Sequence, residues 1–206
     1  MLRWIKDALG KKEAPTTRIL SFDAIPSTLD AVAEDSLREL EARARPHVVK
    51  ILAVREQLLE QVKDLSRAER SEKIHPKLEK ITKNSLPQFE KAITTSLAHP
   101  LPADPEEFYK AFTESLKGCV KGLAGPGRYL RNVFPDEMKA IRILIDGMGN
   151  EMNHLTPLVA ARRTRKEQIA SLRDIHHRIG VQSEIKAGAD RAIPPLEARL
   201  AETGRT

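Results

Sequence analysis

From Ser27 onward, apolar residues recur at alternating spacings of three and four: Leu29, Ala33, Leu37, Leu40, Ala44, Val48, Ile51, Leu52, Leu58, Leu59, Val62 and Leu65, with Arg55 as the one cation in the row. A repeat near 3.5 residues keeps one helix face apolar and forms the seam of a coiled coil or a long bundle helix. Pro46 lies inside the row, but the phase continues on both sides, which predicts one kinked helix of about 40 residues opened by Ser27 and Asp30. A polar turn at Ser66–Ser71 leads to a second stripe, Ile74, Leu78, Ile81, Ser85, Phe89, Ile93 and Leu97. Its phase shifts near Pro87, where Ser85 and Gln88 have the spacing of an N-cap and N3, so a kink or a break is expected. HPLPADP, residues 99–105, reads as a loop. Asp104-Pro105-Glu106-Glu107 then supplies an N-cap acid, a proline at N1 and carboxylates in the first turn.

The third helix is short, with Phe108, Phe112, Leu116, Cys119 and Val120 inward, and it ends in GLAGPG at residues 122–127. Pro135-Asp136-Glu137 starts a fourth, carrying Met138, Ile141, Ile145, Met148, Met152, Leu155 and Leu158, then Ile169, Leu172 and Ile179. Pro157 is expected to bend it. Beyond the bend, Arg162, Arg165 and His176 take positions the stripe reserves for apolar residues, so this helix is expected to overhang the bundle or meet a partner. Gly147 and Gly149 each cost about 1 kcal/mol against Ala inside a helix, which points to close helix–helix approach or to flexibility beside Pro157. The pattern therefore divides the chain into an N-terminal amphipathic helix over 1–12, a tether over 13–26, a helical bundle over 27–179 and a tail over 180–206 with a short helix, Pro195 to Glu202. The expected fold is all-α: an antiparallel bundle of four main, long, kinked helices with coiled-coil-like seams.

The first dozen residues, MLRWIKDALGKK, carry the clearest functional hint. On a helical wheel, Leu2, Trp4, Ile5, Ala8 and Leu9 share one arc of about 160°, and Arg3, Lys6, Asp7, Gly10 and Lys11 lie opposite. An apolar face, an amphipathic indole and adjoining cations are what an interfacial helix needs. Leu2, Trp4, Ile5 and Leu9 are thus the residues expected to enter the acyl boundary, and Arg3, Lys6, Lys11 and Lys12 those expected to meet anionic headgroups. Each cation contributes about 1 kcal/mol near such a surface, so one copy binds weakly and lasting attachment requires two or more. The alternative is that the apolar arc docks on the body of the protein. Lys6 and Asp7 interrupt the apolar run a secretory signal requires, and Asp7 and Glu13 argue against a transit peptide.

Composition agrees with helices. Of 206 residues, 31% are charged and only 4% aromatic, which disfavours sandwiches and barrels and favours chains rich in Ala, Leu, Glu, Lys and Arg. The single Cys, Cys119, excludes an intramolecular disulfide and fits a reducing, cytoplasmic setting. The net charge of +6 is concentrated in patches. Residues 162–178 hold Arg162, Arg163, Arg165, Lys166, Arg173 and Arg178 against Glu167 and Asp174, and residues 67–83 hold six cations against three glutamates. Such patches attract phosphate polyanions. Those polyanions are anionic lipid or nucleic acid; interleaved acids and scarce aromatics disfavour nucleic acid, and against both stands the fact that charge on the outside of long helices is routine.

No catalytic signature is present. Glu72/His75 and Glu151/His154 have the Glu-x-x-His step of di-iron bundles. However, Glu151 and His154 fall about 80° and 140° from the inward direction, so both are expected to face solvent. The glycines at 118, 122, 125 and 127 lack the Gly-Lys-Ser/Thr of a P-loop and read as a helix end followed by a Gly-Pro turn. Cys119 reads as a packed thiol. No metal or cofactor is expected, and the chain reads as non-enzymatic.

In organisation the chain resembles a BAR-domain module of the N-BAR kind, on MLRWIKDALGKK, the stripes interrupted at Pro46, Pro87 and Pro157, and the two basic stretches. The resemblance implies a homodimeric coiled-coil scaffold, peripheral on the inner face of the membrane. The short third helix and the HPLPADP and GLAGPG breaks depart from it and favour a more compact four-helix bundle. Two readings follow: a self-associating scaffold that touches anionic membrane lipids through residues 1–12, or a soluble adaptor whose fourth helix docks a protein partner.

Overall fold

The computed structural model describes residues 19–67 and 76–203, apart from the side chains of Lys77 and Leu78. The expected N-terminal helix over 1–12 lies outside the described residues. A 3-10 turn at Phe22–Ala24 precedes five helices: α1 Ile25–Arg67, α2 Pro76–Leu97, α3 Pro105–Ala124, α4 Gly127–Leu130 and α5 Pro135–Thr203. No strand occurs among the described residues, so the chain is all-helical there. Three of these helices begin on proline, whose missing N–H would have had no intrahelical acceptor in the first turn.

The chain divides into two compact units. One is Ala33–Gln168, and the other combines the described parts of Met1–Val32 and Ile169–Thr206. Within Ala33–Gln168 all five helices contribute to one hydrophobic core. On α1, Ala44, Ile51, Leu58 and Leu65 recur every seven residues, and all are buried. Phe89, Ile93 and Leu97 enter from α2, Phe108, Phe112 and Cys119 from α3, and Leu130 from α4. The start of α5 adds Met138, Ile141, Ile145, Met148, Met152 and Leu155. Each large side chain enclosed this way contributes about 1.5–3 kcal/mol.

Polar and small residues set how these helices meet. Arg55, the cation inside the apolar row, donates from Nε (3.1 Å) and Nη2 (2.6 Å) to the carbonyl of Leu97. Leu97 is the last residue of α2, where carbonyls lack intrahelical donors and a cation is favoured. Asp104 caps α3 as its sequence predicts, accepting from the backbone N–H of Glu106 (2.9 Å) and Glu107 (3.2 Å). Gly118 and Gly122 allow α3 to approach α2 closely. A Cβ at Gly118 would lie 2.2 Å from Ser96 Oγ, and one at Gly122 would lie 3.3 Å from Ala92 Cβ.

Several expectations are corrected. Within the tether expected over 13–26, the 3-10 turn at Phe22–Ala24 leads directly into α1, which opens at Ile25 and not at Ser27. Ser27 Oγ donates back to the Ala24 carbonyl (3.1 Å) and caps nothing, and Pro26 is tolerated because a first-turn residue needs no N–H. Helix α2 passes Pro87 without a break. Ser85, Phe89, Ile93 and Leu97 form one buried line through it, and Ser85 is enclosed in the helix instead of starting a new one. Val120 is half exposed, while Ser115 and Gly122 are buried on the line of Phe108, Phe112 and Cys119. Gly147 has nothing within 4 Å of an added Cβ, and Gly149 meets only Leu116 at 3.9 Å, so neither serves close helix approach. The expected short helix from Pro195 to Glu202 is the end of α5, which continues through Gly180 and Gly188. Its neighbours Glu184, Lys186, Ala187, Ala189, Arg191 and Ala192 are mostly strong helix formers.

Candidate functional site

The unit that contains the end of α5 is built on few contacts. The Phe22 ring stacks on His176 with centroids 4.1 Å apart and planes 19° apart. His176 Nε2 lies 3.0 Å from the Phe22 carbonyl oxygen, and Asp30 pairs with Arg173. These pairs set the start of α1 antiparallel to α5 over residues 173–180. Beyond Gly180, every described residue to Thr203 is exposed. That stretch includes Val181 (40% exposed), Ile185 (60%), Ile193 (48%), Leu196 (59%) and Leu200 (77%). At 100° per residue these five fall within an arc of about 120°. Leu172, Ile175 and Ile179, just upstream, are also about half exposed.

A lone helix of this length is marginal in water, because helical stability in proteins comes mostly from packing one face. Large apolar side chains are thus exposed at helical spacing along this stretch. Sequence reading singled out Leu172 and Ile179 as stripe residues and missed the row after them. A spacing count from Val181 to Leu200 would have found it.

The predicted basic patch is mostly paired. Arg162 is only 13% exposed, binding Asp104 (2.8 Å) through Nη2 and Glu106 (2.7 Å) through Nη1. Lys166 adds a second cation to Glu106 at 2.8 Å. Together they tie the first turn of α3 to α5. The Glu106 carboxyl is held below its ordinary range by its hydrogen bond to Lys166, against the opposing effect of burial, with help from Arg162. At Asp104 burial pushes upward, but the N–H groups of Glu107 and Glu106 together with Arg162 outweigh it and the carboxyl is lowered. Arg163 pairs with Glu167 (3.0 Å), Arg173 with Asp30, and Arg178 more distantly with Asp174 (3.9 Å). Arg165 makes no ion pair among the described residues. Leu2, Arg3, Trp4, Ile5, Lys6, Leu9, Lys11 and Lys12 lie outside them.

A second polar cluster joins α1 to α5. Glu151, expected in solvent, is only 19% exposed and lies 2.6 Å from His47 Nδ1 and 3.5 Å from Lys50 Nζ. Its carboxyl is lowered chiefly by the hydrogen bond to His47, against burial. The His47 ring stacks on His154 at 5.3 Å, and both line a cavity of about 400 Å³ with Leu40, Arg43, Pro157, Leu158 and Ala161. No sequence signal pointed to His47, whose partner is more than a hundred residues away. Among the described residues, no group of three or more His, Cys, Asp or Glu is placed to hold a metal ion. Glu72 and His75 are outside the description. No helix among the described residues is long and apolar enough to cross a membrane. No protein-family model, curated protein or solved structure matches the chain.

Proposed function

We propose that this chain is a non-enzymatic helical scaffold that self-associates through the end of α5 and attaches peripherally to anionic membrane, on its cytoplasmic face, through residues 1–12. The observation that carries it is the run 181–203, exposed throughout and bearing five large apolar side chains on one arc. A row of this form suits the apolar face of another helix. The finer architecture we infer for Ala33–Gln168 is an antiparallel four-helix bundle. In support, Asp104 pairs with Arg162 while Tyr109 Oη meets Thr156 Oγ1 at 3.0 Å, so α3 and α5 run in opposite directions.

Charge pairing narrows the lipid contact. Five of the six cations expected over 162–178 already have acidic partners, so attraction to anionic headgroups falls mainly to Arg3, Lys6, Lys11 and Lys12. At about 1 kcal/mol each, reduced by Asp7, they hold one copy weakly. Self-association doubles the anchors per particle and makes attachment useful, an arrangement similar in logic to N-BAR modules. The test is co-sedimentation with phosphatidylserine-containing and neutral vesicles, using the full chain and one lacking residues 1–12. The full chain should pellet on anionic vesicles only, and the truncated chain on neither. Equal pelleting of both chains, or of neither, overturns the membrane reading.

A further inference from the structure

We infer that the exposed row of α5 is the interface for a second copy of this chain, and that the two helices run antiparallel about a two-fold axis between Arg191 and Ala192. The inference rests on the self-association proposed above and specifies its geometry.

Heights along the helix set the register. An axis there sets residue 181 level with residue 202 of the second copy, 185 with 198, and 193 with 190. The apolar residues of one copy, Val181, Ile185, Ile193, Leu196 and Leu200, then have heights corresponding to positions 202, 198, 190, 187 and 183 of the other, so that four of the five fall between its apolar residues and Val181 lies just past its Leu200. Interdigitation of that kind is what helix pairing by knobs and holes requires. Charges agree with the same axis. Lys186 and Glu197 lie on one edge of the apolar arc and become level with each other across the pair. On the other edge, Arg199 becomes level with Glu184. A two-fold arrangement also closes, so it gives a dimer and not a fibre. The contact is about 33 Å long at 1.5 Å per residue, which is short for a permanent interface and implies weak, concentration-dependent pairing.

Sedimentation equilibrium of the full chain without lipid, from about 5 to 200 µM, should show a monomer–dimer equilibrium. Leu196→Glu should weaken it by about tenfold or more with unchanged circular dichroism, since Leu196 is 59% exposed and outside the hydrophobic core. Lys186→Glu should also weaken pairing, and Lys186→Glu/Glu197→Lys should restore it. Orientation is read by oxidative cross-linking, in which the buried Cys119 stays silent. Ala192→Cys beside the axis should cross-link readily, and Val181→Cys, far from its own copy, should not. A chain that stays monomeric to the highest concentration overturns the inference. So does dimerisation that appears only after residues 1–12 are removed, because that segment would then be the occupant of the face. Equal cross-linking at positions 181 and 192 overturns the antiparallel geometry. Vesicle pelleting should fall along with dimerisation in Leu196→Glu, and a full chain that pellets on anionic vesicles but stays monomeric overturns this inference while the contact through residues 1–12 stands.

Discussion

The same substitution, Gly→Ala, should have opposite signs at two glycines in helix interiors. At Gly118 on α3, an added Cβ would lie 2.2 Å from Ser96 Oγ and 2.8 Å from Ser96 Cβ. The Cβ of Ser96 cannot swing aside, and its Oγ is engaged at 2.6 Å with the Ala92 carbonyl. At Gly147 on α5, nothing lies within 4 Å of the added atom. Alanine improves helix propensity by about 1 kcal/mol over glycine at either place. At Gly147 that gain stands alone, so the variant should be stabilised by about 0.5–1 kcal/mol. At Gly118 an overpacking cost of about 1–3 kcal/mol opposes it and leaves a net loss of about 1 kcal/mol. For a chain of this size the two variants should melt about 2–4 °C on opposite sides of the parent. Thermal and urea unfolding followed by circular dichroism measure both. A double-mutant cycle with Ser96→Gly isolates the contact and should show favourable coupling of about 1 kcal/mol in the Gly118→Ala background. Equal shifts of the same sign, or no coupling to Ser96, would refute the close approach of α2 and α3.

Two further outcomes follow from the polar contacts. Arg162→Gln should cost about 2 kcal/mol at neutral pH, because it leaves Asp104 and Glu106 with Lys166 alone at a site of low exposure. Both carboxyls are lowered in the folded chain, so the stability they contribute is complete above their unfolded values of about 3.9 and 4.3 and is lost as pH falls through the folded values. The gap between parent and variant in urea titrations should therefore narrow from pH 6 to pH 3, and a constant gap would contradict the ion-pair assignment. At Cys119, burial pushes the thiol up to about 12. A thiol reagent at pH 8 should label it only as the chain opens, with the rate rising in step with urea, and native labelling at the rate of a free thiol would rule out its place in the core.

How much of this was legible in the sequence depends on how local each feature is. The apolar periods located α1, α2 and the first half of α5, because a helix that buries one face must repeat every three or four residues. The start of α3 was legible down to its hydrogen bonds, since Asp104 caps N–H groups two and three residues away. Arg55 was visible as an interruption of its stripe, but its reason was not. Its acceptor, the Leu97 carbonyl, is supplied by another helix. The glycines show the same limit. Gly147 and Gly118 look alike in sequence, and only the presence of Ser96 beside one of them separates spacing from accident.

The exposed apolar row of α5 is obscured for a different reason. Charge was read as a property of each residue, so Arg162, Arg163, Lys166, Arg173 and Arg178 appeared as a cationic patch, whereas pairing with acids from α1, α3 and α5 makes most of them joints. Counting those cations as paired leaves a simpler division of labour along the chain. Within Ala33–Gln168, α5 places Met138, Ile141, Ile145, Met148, Met152 and Leu155 inward and is held by Arg162, Lys166 and the His47–Glu151 pair. After Gly180 the same helix retains large apolar residues at helical spacing but has no described segment of the chain to bury them against. Folding alone does not require Ile193, Leu196 and Leu200, since polar residues would support an isolated solvated helix at least as well. Their presence is what makes association, and not catalysis, the property to test first.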